Sequence, residues 1–475
     1  MRWNPLRVSL HGPWSRPLFA LTTCLVLGST AVQANEPPPD ARLETPPAPE
    51  SPLVEPSQEP ASEPPHTPAP APRTGWDLQG LPIINFNTDE GFGYGALVML
   101  VDRADGTYEP FRYSLLAQFF QTTRQVASHM LIFDAPQFLG SPWRVGVEAA
   151  YNRTRFAPYY GLGNTSERVA EYATCEDRDA LKDNPDLCPG NPDFRGLRYY
   201  TYDLKSLPRL RLNLRRAVAR SWNLFLGYRF RPDRVVPRYT SDDLGQSGDS
   251  KLIEDAKAGL LEGFEEGVPA RIPARTSELL AGMQYDTRDI EASPSSGMFH
   301  ELSLRGGAGP LGSEFDYWGA TLHARFYLPV IPGSRRLVAG GRVLFDVMGG
   351  EVPFTLLPFF GGLEGKDGLG GVYSARGLLL RRFQGPAKLL LNGELRWTAL
   401  TRELLGQQFG FTFVGFVDSG RVWNDLHFQE GGGLKASAGG GLRIAWNREF
   451  VIRVDYGVGL SESTSGFYLD FGQLF

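Results

Sequence analysis

The sequence predicts an all-β protein: a 16-stranded antiparallel transmembrane β-barrel preceded by a signal peptide and a disordered proline-rich segment. Three observations lead there. Residues 74–475 are built from repeated segments of about ten residues in which apolar and polar side chains alternate, and a tilted strand needs about 9–11 residues to cross a bilayer. Trp and Tyr recur near segment ends, where an aromatic girdle lies at the membrane surface. Connections are alternately short and long, as in barrels with tight turns on one side and long loops on the other.

The elements follow in chain order. Residues 1–34 read as a secretory signal: Arg2, Arg7 and Arg16 give a positive start, Pro17 to Ala31 is apolar, and Val32-Gln33-Ala34 offers small residues for cleavage after Ala34. Residues 35–73 hold 14 prolines in 39 positions and no Phe, Trp or Tyr. Such a segment cannot bury enough apolar surface to offset the entropy of ordering, so it reads as a disordered periplasmic tether. Residues 74–475 contain no second linker and no run of 18 apolar residues, which predicts one outer-membrane barrel domain without a membrane helix. A net charge of -5 argues against nucleic acid as a partner. The expected surroundings are instead outer-membrane lipids and lipopolysaccharide.

Within the barrel, Phe450, Ile452, Val454, Tyr456, Val458 and Leu460 interleave with Val451, Arg453, Asp455, Gly457 and Gly459. Trp222, Leu224, Leu226, Tyr228 and Phe230 interleave with Asn223, Gly227, Arg229 and Arg231, and Leu389, Leu391, Leu395 and Trp397 with Asn392, Glu394 and Arg396. One face suits hydrocarbon and the other a polar lumen, and only a closed barrel satisfies every backbone group in lipid. Strands are expected to begin near residues 80, 92, 110, 125, 142, 198, 221, 275, 297, 314, 335, 387, 408, 434, 449 and 466. With a periplasmic tether, the long connections 154–197, 232–274 and 348–386 all fall outside, and short ones such as 135–141 and 329–334 fall inside.

Export leaves Cys175 and Cys188 as the only cysteines of the mature chain, and an oxidising compartment favours a disulfide between them. Closing that short loop stabilises by roughly 3 kcal/mol in the chain-entropy model. The two cysteines cannot build a four-ligand zinc site, and His129, His300, His323 and His427 lack metal-ligand spacing. No Gly-x-Ser-x-Gly elbow occurs, and GLEGKDGLGG precedes no helix pattern that would cradle a nucleotide. The expectation is a protein that is not an enzyme and that holds neither metal nor cofactor.

The long connection 348–386 is glycine-rich and ends in Ser374-Ala375-Arg376-Gly377-Leu378. Arg376 is either a solvated loop charge or a tether that holds the loop in place. The strands that follow carry Asn392-Gly393-Glu394 and Phe416-Val417-Asp418-Ser419-Gly420. Alternation puts Glu394 on the inward face; for Asp418 the phase is less clean, because Val414 and Phe416 share its parity. Further stretches are Tyr285 to Gly297 (YDTRDIEASPSSG), Tyr159 to Asn164 (YYGLGN), and a final strand with Phe467, Leu469 and Phe471 before Phe475. Together these resemble the barrel domain of the BamA/TamA superfamily of outer-membrane insertases and translocases, the bacterial surface antigen family.

The resemblance implies that the loop folds back into the lumen, where the Arg376 fork bonds Glu394 and Asp418 beside Gly377. It also implies that Phe467, Leu469, Phe471 and Phe475 form the signal read by the outer-membrane assembly machinery. The activity implied is insertion or translocation of other proteins, with client outer-membrane proteins or periplasmic factors as partners. A weak seam between first and last strands would template an incoming strand, and Gly80, Pro82, Gly466 and Gly472 stand near that seam. The chain departs from the pattern in three places. Leu378 replaces an aromatic residue, Ala375 replaces valine, and residues 35–73 are too few and too proline-rich for even one periplasmic POTRA domain. The alternative is a channel or structural barrel plugged by the Arg376 loop.

Overall fold

A computed structural model describes residues 74–475 except 109–110, 178, 184–187, 239–248, 263, 265–271, 292, 405–406 and 447–449. The signal-peptide and tether readings, at residues 1–34 and 35–73, lie outside the described residues. The strands are β1 Trp76–Asn87, β2 Gly91–Asp102, β3 Tyr113–Thr122, β4 Val126–Ala135, β5 Trp143–Pro158, β6 Thr201–Ala219, β7 Trp222–Val236, β8 Ile272–Asp286 and β9 Gly297–Gly307. They continue with β10 Tyr317–Pro329, β11 Leu337–Gly350, the two-residue strands β12 Phe359–Phe360 and β13 Lys366–Asp367, then β14 Ala387–Leu404, β15 Gln407–Trp423, β16 Lys435–Trp446, β17 Phe450–Gly459 and β18 Ser465–Phe471.

All but β12 and β13 form one closed antiparallel barrel in which each strand pairs with its neighbours in the chain, β11 passing directly to β14 and β18 closing on β1. Sixteen strands make the wall, and each begins within four residues of its expected position. The largest shift is at β1, which starts at Trp76 rather than near 80, so that Gly80 and Pro82 sit inside the strand. Pro82 pairs with Ala96 of β2, and its missing N–H is tolerated because its other side is a sheet edge. The β12–β13 hairpin was not anticipated. Its two-residue strands are too short to leave an alternation pattern.

The connections after β5, β7 and β11 are the long ones, and all three emerge at the same end of the barrel. At that loop end the short helix Lys251–Lys257 buries Leu252 and Ala256 in an apolar cap with Tyr159, Tyr202, Phe354 and Leu357. Cys175 and Cys188 are disulfide-bonded within the connection after β5. The outward face of the wall exposes Leu and aromatic side chains, Leu224, Leu226, Trp318, Leu395, Trp397 and Phe413 among them. On the inward face of β1–β4, Ile83, Leu97, Leu116, Phe120 and Ile132 pack together. Elsewhere the lumen is filled by the connection 351–386, termed the plug.

Candidate functional site: a tethered plug beside a short seam

The plug leaves β11, forms the β12–β13 hairpin and returns to β14 with most of its side chains buried inside the barrel. Leu378 and Ala375 sit with Leu344, Phe360, Leu369, Phe383, Leu390 and Val422 in an apolar cluster. The leucine in the aromatic position of the motif therefore fills a core between plug and wall.

Arg376 is fully buried. Its Nε and Nη2 donate to Asp418 Oδ2 and Oδ1 at 2.8 and 3.0 Å, a two-pronged fork, and its backbone N–H donates to Asp418 Oδ2 at 3.1 Å. Nη1 donates to Glu394 Oε1 at 2.7 Å and also to Asp455 Oδ2 at 3.2 Å. The Phe416 ring lies under the guanidinium, 3.5 Å from ring centre to Cζ. This resolves the phase of β15: Val414, Phe416, Asp418 and Val422 all face inward, and Phe416 is the platform on which the arginine rests. Asp418 is held in turn by Asn392, whose Nδ2 donates at 2.7 Å.

Three participants escaped the sequence reading. Asp455 on β17 is a third carboxylate, and Arg443 on β16 donates to it at 2.6 Å. Arg396 on β14 donates to Glu394 Oε2 at 2.8 Å. Arg453 on β17 also lies 3.8 Å from Asp455 and 3.1 Å from Asp470, so Glu394, Asp418, Asp455 and Asp470 are matched by Arg376, Arg396, Arg443 and Arg453. Asp455 and Arg396 stand out in the sequence only as polar-face residues of their strands, and Arg443 does not stand out at all. The meeting of Arg443 with Asp455 depends on how β16 and β17 align.

Gly377 follows with φ +98°, and a Cβ there would stand 2.6 Å from the backbone of Gly457 and Val458 on β17. Only glycine lets the plug lie against the wall at this point. Its N–H donates to Tyr468 Oη at 3.0 Å, and its carbonyl accepts from Thr464 Oγ1 at 2.7 Å. The tether therefore reaches the last strand and the loop before it. Three residues on, Leu380 N–H donates to Asp89 Oδ1 at 3.1 Å, in the turn between β1 and β2. One short piece of plug touches the last strand, β18, and the turn that leaves the first, β1.

That closure is slight. β1 and β18 share two register pairs, Phe86 with Leu469 and Asn87 with Tyr468, extended by Thr88 bonding to Phe467 at 3.2 and 2.8 Å. Residues 76–85 pair only with β2. By contrast β1 aligns with β2 over its whole length, and β14 with β15 from Ala387 to Leu404. The cause is the end of β18. After Phe471, Gly472 takes φ +78° and the chain turns into the lumen, where Leu474 and Phe475 pack on Tyr327. Phe467, Leu469 and Phe471 share the outward face, whereas Phe475 does not continue it; its ring lies 5.3 Å from the Arg342 and 5.1 Å from the Arg396 guanidinium.

Beside the seam, the β1–β2 turn carries two acids outside the membrane-spanning strands. Burial against the plug pushes Asp89 up to about 6, opposed by the Leu380 N–H and Arg124. Burial likewise pushes Glu90 up to about 7, with Asp367 and Asp89 adding to the rise and Asn87 and Arg381 opposing it.

The other motifs brace this arrangement. In YYGLGN, Gly163 N–H donates to Gln384 of the plug at 2.8 Å, and Asn164 bonds Glu430 and Gly433 of the β15–β16 loop, both at 2.8 Å. In the turn after β8, Arg288 pairs with Asp286 at 2.7 Å and Asp289 accepts from the Ser295 and Ser296 amides.

The Omp85 superfamily domain matches residues 122–475, more than half of the chain. The protein belongs to the Omp85 superfamily, and it is an outer-membrane β-barrel of that class. Its fold is similar to BamA from Haemophilus ducreyi lacking POTRA domains 1–3, with 15% identity over 84% of this chain and 71% of that one at a TM-score of 0.52. It is equally similar to CdiB from Escherichia coli, with 12% identity, 84% of this chain covered and a TM-score of 0.52; there the chain spans 63% of the other's length. A search of curated proteins found no match.

Proposed function

We propose that this barrel assists insertion or translocation of other proteins at the outer membrane, using the β1 edge at the seam as the template for an incoming strand. The observation that carries the proposal is the two-pair closure between β1 and β18, next to walls paired along their full length. An edge with unpaired backbone donors and acceptors in a bilayer is a site for strand addition. Membership of the Omp85 superfamily supports the same reading. The long-loop end faces outward and the plug, locked by Arg376, closes the lumen while the seam works. Client outer-membrane proteins are then the partners, with lipid and lipopolysaccharide around the exposed outer belt.

The test locks the seam. In a Phe86→Cys, Leu469→Cys pair the two positions are register partners, so oxidation joins the first and last strands. The locked protein is expected to lose client insertion into proteoliposomes and to regain it on reduction. Depletion in the source cell should selectively lower other outer-membrane barrels. Undiminished insertion by the locked protein, together with altered solute uptake and an intact proteome, would establish the plugged channel instead.

A further inference from the structure

A second group of arginines lines the lumen on the opposite wall, where the tether plays no part. Arg209 and Arg211 on β6, Arg229 and Arg231 on β7, Arg305 on β9 and Lys366 of the plug hairpin surround a cavity of about 80 Å³. Five of these six have a carboxylate within 4 Å: Arg211 has Glu148 at 3.6 Å, Arg229 Glu278 at 3.1 Å, Arg231 Asp233 at 2.6 Å, Arg305 Asp346 at 2.8 Å and Lys366 Glu364 at 3.2 Å. Arg209 has none among the described residues. Asp346 is moreover shared with Lys388 at 3.4 Å, so among the described residues cations outnumber carboxylates around the cavity.

The geometry sharpens that excess. Arg211 and Arg229 are register partners on adjacent strands. Like charges directly opposite each other across two strands repel. Both are largely buried, and each leaves its Nε without an acceptor. Arg229 spends its Nη2 on the carbonyls of Gly362 and Leu363, the latter at 2.8 Å, clipping the plug to the wall. Two orphaned guanidinium donors, a repelling pair and an unmatched charge around one partly open cavity all favour the same group: an anion with several acceptor oxygens.

We propose that this cavity is a binding site for a small oxyanion of the phosphate or carboxylate type. The anion lies between Arg209, Arg211 and Arg229, accepts from the orphaned Nε donors and neutralises the excess. Bound there, it holds the plug hairpin against β6 and β7 through the Arg229 clip. No such need exists at Arg376, whose donors already meet three carboxylates.

The test uses the full chain in maltoside detergent, which carries no phosphate, with inorganic phosphate as the probe. Its ³¹P resonance is expected to broaden on addition of protein, and chloride at matched ionic strength should not reverse this. Thermal unfolding should shift upward with phosphate but not with chloride. Arg209→Gln and Arg211→Gln should each bind phosphate about ten-fold more weakly, the loss of one charged hydrogen bond. If a glutamine variant does not fold, Arg209→Lys keeps the charge without the planar fork and should bind with intermediate strength. Equal response to phosphate and chloride, or binding unchanged in Arg209→Gln or Arg209→Lys, overturns the site.

Discussion

On the β14–β17 side of the lumen, Arg376, Arg396 and Arg443 meet Glu394, Asp418 and Asp455, and the plug is pinned. On the β6–β8 side, arginines again face the plug, but among the described residues Arg209 has no carboxylate within 4 Å, and a cavity remains. The two walls use the same residue in opposite ways. Where forks and carboxylates are equal in number, burial turns the charges into a fixed joint. Where one fork is left over, burial makes the same charge a demand for a ligand. Charge balance inside the lumen, rather than the presence of arginine, separates a structural clasp from a candidate binding site.

The sharpest way to break this contrast is Arg376→Ala. Among the described residues Asp418 would lose its one ion-pair partner and keep only Asn392 Nδ2 as a side-chain donor, while Arg396 and Arg443 still serve Glu394 and Asp455. Truncating one side of a buried pair costs about 3–5 kcal/mol. The plug should become protease-sensitive and the lumen leaky while the barrel stays inserted. Arg376→Lys should recover part of the loss, and a double-mutant cycle with Asp418→Asn, scored by plug proteolysis, should show strong coupling. Strict additivity in that cycle would make the tether a passive contact.

Next in size is the disulfide in the connection after β5. Cys175→Ala with Cys188→Ala should loosen that loop by up to about 3 kcal/mol of local stability. Limited proteolysis should cut between the two positions, and heat-modifiable gel migration of the barrel should be unchanged.

Gly377→Ala attacks the tether without touching its charges. A methyl would meet the β17 backbone at 2.6 Å in a left-handed conformation. A cost of about 1–3 kcal/mol is expected. The loop should loosen as in Arg376→Ala but less, measured by the same proteolysis.

The smallest effect concerns pH at the seam. Asp89 and Glu90 have folded values raised to about 6 and about 7 above their ordinary ones, so the docked turn binds protons more tightly than the free one. Their contribution is fully present below about pH 4 and is lost as pH rises through 6 to 7. Crosslinking between the β1–β2 turn and the plug should therefore be more efficient at pH 5 than at pH 8. Asp89→Asn should flatten part of that dependence, and an unchanged profile in Asp89→Asn with Glu90→Gln would exclude these acids.

Much of this molecule is legible in its amino-acid sequence. Period-two alternation is a property of neighbouring residues, so it announced the strands and their faces, and Glu394 could be aimed inward from Leu395 and Trp397 alone. It was the resemblance of the Asn392-Gly393-Glu394 and Phe416 to Gly420 stretches to family motifs, not alternation, that marked the residues the Arg376 fork meets. The phase of Asp418 was ambiguous because Phe416 is an apolar residue facing a polar lumen. Its reason, a guanidinium lying on its ring, exists only once the plug is folded in.

What the sequence by itself determined was the number of strands, which side chains see lipid, and which loop is long enough to enter the lumen. Each depends on local order and length. Tertiary structure alone decided which charges meet: Asp455 joining Arg376 from a strand beyond Asp418, Arg443 answering both Asp455 and Glu394, and Arg211 standing opposite Arg229. It also decided that Phe475 turns inward and leaves β1 with two partners on its free edge. These follow from the register of strands brought together by closure, and closure is a relation between distant parts of the chain that no short stretch of residues encodes.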